Sequence, residues 1–233
     1  MKSKFILFSI ITLLFGIQVF AQETISITAD YAPNVLVKYN VLKSDNKTQD
    51  GLFQALYKKK IPVASGLYNH GKRVGMWHFF DKTGKLLQHF DYNKNTVVYE
   101  APDDSASNYK YILDNKFTNR DTVTKPIRVG GRYFGYLPYL NLFRLPKEML
   151  NAVDDVSSWP SVYIELLVSP LGRLAYYRVH VISAVYGERV LEVNINHLSE
   201  QDKTFVPATF NGTNVSSRII LLCTLSGGLR LVM

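Results

Sequence analysis

The stretch GMWHFFDKTGKLLQHFDYNKN, residues 75–95, determines the fold of the first half of the chain. Two aromatic-rich runs flank the turn Asp81–Gly84, in which glycine supplies a positive φ at no steric cost. Such a pattern predicts a β-hairpin. Gly75 begins this stretch and Gly51 begins an earlier copy, so the chain contains an internal repeat of about 24 residues.

The two copies carry similar residues at matched positions across residues 50–100. The matched pairs are Gly51 and Gly75, Phe53 and Trp77, Lys58 and Lys82, Tyr68 and Tyr92, and Asn69 and Asn93. Before them, Asn34–Leu42 alternates apolar and polar side chains, which is typical of a half-buried strand. We therefore expect residues 22–100 to form a β-meander.

The run Gly66–Trp77 resembles the MORN-type repeats of bacteria. The residues at the positions typical of that family are Tyr68, Gly71, Lys72, Gly75, Trp77 and Gly84. The first copy differs, with Lys60 at the position of the turn glycine and Pro62 inside its second strand. The resemblance covers about fifty residues. It implies a meander that packs edge to edge and serves in interaction rather than catalysis.

The N-terminus has the features of a secretory signal. Lys2 and Lys4 precede an apolar run, Phe5–Phe20, and Ala21 supplies the small residue of a cleavage site. We expect residues 1–21 to be removed and the mature protein to be periplasmic or secreted. The alternative is a retained membrane anchor. No cysteine follows the apolar run, so a lipoprotein is not expected.

The composition bears on two questions, whether the protein binds nucleic acid and whether it contains a disulfide. Removal of residues 1–21 leaves 27 − 2 = 25 Lys and Arg against 19 Asp and Glu, a net charge of +6. The positive residues are scattered, and an exported protein rarely meets nucleic acid, so we expect no nucleic-acid partner. The single cysteine, Cys223, cannot form an internal disulfide and is predicted to be a buried apolar residue.

The second half of the chain predicts alternating strands and helices. Polar residues 101–125 are interpreted as a linker interrupted by one strand, Tyr109–Leu113. The elements expected after it are a helix at Pro146–Val153, strands at Val162–Val168 and Leu174–Ser183, a helix at Glu188–Leu198, and a last strand at Arg218–Leu225. The stretch FVPATFNG, Phe205–Gly212, supplies the turns before that last strand.

This order resembles the C-terminal domain of TonB-type energy transducers. The matching residues are Gly172, Phe205, Pro207, Ala208, Asn211, Gly212 and Val215. The resemblance implies that residues 126–233 form antiparallel strands covered by two short helices. The expected fold class is therefore α+β, a MORN-like meander followed by a TonB-C-like domain. Phe205 stands where that family has tryptophan, and no long proline-rich linker is present.

The chain carries none of the common catalytic or metal-binding motifs. The five histidines never occur at the spacing of a metalloprotease helix, and no G-x-S-x-G or phosphate-loop pattern is present. His78 and His89 could meet across the hairpin, but two imidazoles without a third ligand make a poor zinc site. We therefore expect no enzyme activity, no metal and no cofactor.

The predicted binding residues surround the last strand. We expect Arg218–Leu225, including Arg218 and Ile220, to be an open sheet edge, with Arg178 and His180 on the neighbouring face. Strand addition at such an edge gives affinity through main-chain hydrogen bonds. Tyr136 and Tyr139 belong to an aromatic cluster that is expected either to pack in the core or to form a peptide-binding rim.

These patterns favour a non-catalytic protein- or peptide-binding module of the cell envelope. The expected partners are an envelope protein or peptide, an outer-membrane receptor, or a second copy of the chain joined through a sheet edge. The alternatives are a TonB-like energy transducer that works with outer-membrane receptors, and a hydrolase of cell-wall polymer.

Overall fold

The computed structural model describes residues 23–103, 108–114, 116–146, 149, 161–183, 187–226 and 230–233. These residues form mostly antiparallel β-sheet, and the α-helix among them, α1, is short and spans Leu137–Leu142. The predicted signal at residues 1–21 and most of the predicted helix Pro146–Val153 lie outside the described residues. Within those ranges, no helix has the length and apolarity that crossing a membrane would need.

The first seven strands form one antiparallel sheet, named here the N-terminal sheet, in which spatial order follows chain order. Its strands are β1 (Thr24–Ala32), β2 (Val35–Leu42), β3 (Gln49–Tyr57), β4 (Ile61–Asn69), β5 (Lys72–Phe80), β6 (Leu86–Asp91) and β7 (Thr96–Glu100). The predicted hairpin joins β5 to β6, and His78 lies directly opposite His89. The strand order is that of a meander built from successive hairpins.

Hydrogen bonds within the turn explain why the β5–β6 hairpin closes where it does. The Asp81 carboxylate accepts hydrogen bonds from the backbone N–H groups of Thr83 and Lys85, at 2.7 and 3.0 Å. Gly84 has a φ of 89°, a value that residues with a Cβ rarely adopt. The turn is therefore specified by local sequence, independently of the rest of the sheet.

The repeat residues Tyr68, Trp77 and Tyr92 meet in one cluster around Arg73. The Arg73 guanidinium lies over the Trp77 ring at 4.7 Å and donates hydrogen bonds to the hydroxyl groups of Tyr68 and Tyr92. Trp77 is fully buried and donates its indole N–H to the carbonyl of Leu67. Cation–π contacts of this kind stabilise most when they are shielded from water.

The second half of the chain contributes eleven described strands. They are β8 (Tyr109–Leu113), β9 (Val123–Thr124), β10 (Ile127–Arg128), β11 (Ser161–Val168), β12 (Leu174–Ser183), β13 (Gly187–Glu192), β14 (Phe205–Val206), β15 (Ala208–Phe210), β16 (Thr213–Val215), β17 (Ser217–Ser226) and β18 (Arg230–Val232). Six of them form the C-terminal sheet, in the order β13, β12, β11, β17 and β18, with β8 also paired to β17. The predicted strand Tyr109–Leu113 is therefore part of this sheet, not a free linker segment.

The helix expected at Glu188–Leu198 is wrong. Residues 187–192 form strand β13 on the edge of β12, and residues 195–197 form a single turn of 3₁₀ helix. The free main-chain groups of β12 offer a complete hydrogen-bond ladder, which outweighs the weak helical spacing of Leu191, Ile195 and Leu198. The outer face of the C-terminal sheet is therefore not covered by this segment.

The aromatic segment Tyr133–Phe143 lies between the two sheets. Phe134 packs against Phe53 and Phe79 of the N-terminal sheet, with ring centroids 6.1 and 6.2 Å apart. On its other side, Tyr139 packs against Tyr177 of β12 at 5.8 Å. The segment thus joins both sheets into one apolar core.

Tyr136 and Tyr139 are fully buried in this core, at 1% and 0% exposure. The hydroxyl of Tyr139 donates to the carbonyl of Asp202, so its polar end is also satisfied inside the protein. The interpretation of these two tyrosines as a peptide-binding rim is therefore wrong, and the alternative of core packing is correct.

Gln88 connects the N-terminal sheet to the start of the second half. Its buried amide nitrogen donates to Glu100 at 2.7 Å and to the carbonyl of Arg128 at 3.0 Å. Its oxygen accepts the N–H groups of Gly130 and Gly131, at 2.9 and 3.1 Å. Every hydrogen-bonding position of the amide is used, which fixes the two parts against each other.

Candidate binding surface

The predicted open edge at Arg218–Leu225 is wrong, because β17 is paired on both sides. Ile220 lies opposite Glu165 of β11 on one side and opposite Lys110 of β8 on the other. The short strand Tyr109–Leu113 was predicted, but its position beside β17 could not be inferred from its own sequence. An incoming strand therefore has no access to the main chain of β17 at these residues.

Four of the six predicted site residues nevertheless share the outer surface of the C-terminal sheet, named here the open face. Arg178 and Ile220 both lie opposite Glu165, and His180 lies opposite Tyr163. Arg218 lies two residues before Ile220 on β17 and therefore points to the same side. The helix α1 packs on the opposite, inner side of the sheet, through Tyr139.

His180 is held between two carboxylates on the open face. Its Nε2 lies 2.8 Å from Glu165 and its Nδ1 lies 2.8 Å from Glu188. The ring of Tyr163 stacks on the imidazole at 4.3 Å. Each carboxylate accepts a hydrogen bond from the ring nitrogen that it faces when that nitrogen carries a proton.

The network shifts the pKa values of both carboxylates in the same direction. Burial by itself would raise the pKa of Glu165, but hydrogen bonds from Tyr176 and His180 and the nearby charge of Arg218 lower it below its ordinary value. Hydrogen bonds from His180 and Tyr163 lower the pKa of Glu188. Both groups are therefore carboxylates at neutral pH.

Two arginines extend the network along the open face. Arg218 lies 3.6 Å from Glu165 and donates to Asp114 at 2.6 Å. Arg178 stacks on the ring of Tyr176 at 4.1 Å. The face thus presents fixed charges of both signs on a rigid sheet, an arrangement suited to selecting a partner by charge.

Exposed apolar side chains surround this charged network. Those on the same face are Ile112, Ile182, Val190 and Leu222. Val190, on the edge strand β13, is 51% exposed. Single exposed apolar residues are ordinary, but several around a polar network on one flat face are typical of an interaction surface.

Strand β13 is a free edge beside the open face, because it is paired with β12 alone; β8 and β18 form the opposite edge of the C-terminal sheet. The N–H of Val193 bonds to the carbonyl of Tyr177, which makes this residue pair hydrogen-bonded in the antiparallel ladder. Because bonded and non-bonded pairs alternate, the main-chain groups of Glu188, Val190 and Glu192 point away from β12. These three residues can therefore bond to an added strand.

Glu165, Tyr163 and Glu188 were not predicted as site residues, although they join the predicted ones. One signal was available for Glu165, which is the only charged residue in the apolar strand SVYIELLV. A buried carboxylate in a strand needs partners, and cross-strand neighbours must supply them. The partners themselves depend on register, which the sequence of one strand does not encode.

The other candidates for metal binding or reactivity are the paired histidines His78 and His89 and the thiol of Cys223. His78 and His89 meet across the hairpin with ring centroids 4.6 Å apart, as expected. Within the described ranges, no three His, Cys, Asp or Glu side chains are grouped to hold a metal ion. Cys223 is buried, and burial raises the pKa of its thiol to about 12, so the thiol is unreactive at neutral pH.

Four surface cavities have volumes of 220, 310, 550 and 260 Å³. The acidic side chains in their described linings are Asp81 in the first cavity and Asp30 in the third and fourth. Hydrolysis by paired carboxylates requires two of them in one cleft. None of these four cavities offers that pair among its described lining residues.

The chain matches no family model, curated protein or solved structure in comparisons with known proteins.

Proposed function

We propose that the protein is a non-catalytic binding module that takes up an extended protein or peptide segment as an additional strand on β13. The observation that carries the proposal is the free edge of β13 beside the open face, with three outward-pointing residues, Glu188, Val190 and Glu192. Main-chain hydrogen bonds to these residues would supply affinity, and the open face would supply selectivity.

The side chains beside the edge define the segment that fits. The added strand would place successive same-face residues opposite Glu188, Val190 and Glu192. Because opposite charges and apolar pairs stabilise cross-strand neighbours, the preferred segment alternates basic, apolar and basic residues on that face. His180 and Arg178 lie one strand further in, opposite Val190 and Glu192.

A display library of random linear peptides tests the proposal without knowledge of the natural partner. We expect selected peptides to show the basic–x–apolar–x–basic pattern. Val190→Pro removes one outward N–H and leaves the ladder to β12 intact, so it should weaken binding of a selected peptide at least about tenfold. Val190→Thr keeps the N–H and the branched shape, and should bind within about threefold of the wild type.

Two outcomes would contradict the proposal. Unchanged affinity of Val190→Pro for the selected peptide would show that the β13 main chain is not used. Selected peptides without a basic and apolar alternation would show that the neighbouring side chains do not choose the partner. A circular dichroism spectrum of Val190→Pro that matches the wild type serves as the control for folding.

We further propose that the protein is exported to the cell envelope, that its first half is MORN-like and that its second half is TonB-C-like. The apolar run Phe5–Phe20 supports export to the cell envelope, where the partner would be an envelope protein or peptide. The clustering of Tyr68, Trp77 and Tyr92 supports a MORN-like meander. The turns around Phe205–Gly212 support a TonB-C-like second half. N-terminal sequencing of the mature protein tests cleavage of the signal, and a chain beginning at Met1 would contradict cleavage.

A further inference from the structure

Strand β1, with nine residues, is a long free edge in the described structure, and its first six residues lack the usual protection against strand pairing. It is the outermost strand of the N-terminal sheet and pairs with β2 alone. Thr24–Ala29 contains no charged residue and no proline, and the first irregularity in register comes at Asp30. Natural proteins normally guard such an edge with charges, prolines or bulges.

The hydrogen bonds to β2 determine which residues of β1 face outward. The N–H of Lys43 bonds to the carbonyl of Glu23 at 2.9 Å, so residues 23 and 43 form a hydrogen-bonded pair. Bonded pairs alternate along the antiparallel ladder. The main-chain groups of Thr24, Ser26 and Thr28 therefore point away from β2 and are free to bond to another strand.

We propose that β1 pairs with β1 of a second copy of this chain, antiparallel and centred on Ser26. In this register Ser26 lies opposite Ser26 of the second copy, and Thr24 lies opposite Thr28. All three outward residues then form main-chain hydrogen bonds with their counterparts. The two N-terminal sheets become one sheet of twice the width, and the symmetry of the contact limits assembly to a dimer.

The side chains of β1 are self-complementary in this register. On the outer side of the sheet the pairs are Thr with Thr and Ser with Ser, which stabilise antiparallel strands through their hydroxyl groups. On the inner side, Ile25 lies opposite Ile27 of the second copy, and Ile25 is exposed in the single chain. The contact therefore buries apolar surface on one side and leaves no charge unpaired in its centre.

The side chains of β13 disfavour pairing with β13 of a second copy. An antiparallel pair centred on Val190 would place Glu188 opposite Glu192 of the second copy, and like charges in that position repel. A pair centred on Arg189 would place two arginines opposite each other. These two edges are thus suited to different partners, β1 to a second copy and β13 to another segment.

Disulfide crosslinking tests the proposed register with single cysteine variants. Ser26→Cys places two cysteines across the symmetry axis, with Cα atoms about 5.5 Å apart, within disulfide range. Thr28→Cys is the matched control, because the Cα atoms of its two copies would lie roughly 14 Å apart, beyond that range. The native Cys223 is buried and does not interfere. We expect covalent dimer from Ser26→Cys and none from Thr28→Cys alone.

Two further measurements test the proposed pairing of β1 with β1 of a second copy. A mixture of Thr24→Cys and Thr28→Cys proteins should crosslink, because these positions face each other in the dimer. Ser26→Lys should raise the dissociation constant at least about tenfold in analytical ultracentrifugation, since it places like charges on the axis. A wild-type protein that remains monomeric at about 100 µM would overturn the proposal, as would equal crosslinking of Ser26→Cys and Thr28→Cys.

Discussion

Gly66 on β4 leaves room for the ring of Trp77. A Cβ added to Gly66 would lie 2.2 Å from two atoms of that ring, far inside van der Waals contact. Gly66→Ala should therefore lower the free energy of unfolding by about 3 kcal/mol, because the fully buried indole cannot move aside without strain. Urea denaturation measures the change. The neighbouring Ser65→Ala, which faces the other side of the sheet, should change it by less than about 1 kcal/mol.

Some residue roles could be read from the sequence and others could not. The positions of Gly84, Trp77 and the opposing His78 and His89 follow from local turn chemistry and alternation. The burial of Tyr139 does not, because an aromatic cluster has the same sequence pattern in a core and at a binding rim. Only the presence of a sheet on each side of the aromatic segment decides between the two.

At the scale of elements, the carboxylate network of the C-terminal sheet makes stability depend on pH. The pKa of Glu165 and that of Glu188 are both lowered in the folded state, so their stabilisation is present above the unfolded carboxyl pKa and is lost as pH falls. The free energy of unfolding should therefore decrease as pH falls below about 4.5.

Glu165→Gln tests the source of that pH dependence. The variant should be less stable than the wild type by about 1–3 kcal/mol at pH 7, since it removes a buried charged hydrogen-bond acceptor. The difference should shrink towards pH 3, where the wild-type carboxylate also becomes neutral. Glu188→Gln, at a side chain that is 50% exposed, should have a smaller effect. Parallel loss of stability with falling pH in Glu165→Gln and wild type would contradict this account.

The sequence predicted which segments form strands better than it predicted which strands pair with each other. Both strands of the β11–β12 hairpin and the strand at Tyr109–Leu113 carry their own alternation and were predicted within one residue of their observed bounds. The pairing of β8 with β17, about a hundred residues apart, depends on which edge remains free after β11 and β12 have paired. The free edge of β12 likewise explains why residues 187–192 form strand β13, where a helix at Glu188–Leu198 was expected.

At the scale of the whole molecule, Gln88 couples the N-terminal sheet to the second half. Gln88→Leu would leave the N–H groups of Gly130 and Gly131 and the carbonyl of Arg128 without these partners in a buried site. We expect it to lower the free energy of unfolding by at least about 2 kcal/mol, since each unsatisfied buried group is costly. Urea denaturation with Gln54→Leu, on the outer side of β3, provides the matched control. An equal effect of both substitutions would contradict the coupling.

Amide hydrogen exchange measured by NMR can show whether a partner segment adds to β13. With a selected peptide bound, the outward amides of Glu188, Val190 and Glu192 should become protected at least about tenfold. Those of Arg189 and Leu191, which already point to β12, should change little. Peptide binding that leaves the three outward amides unprotected, while protecting another part of the chain, would contradict the account.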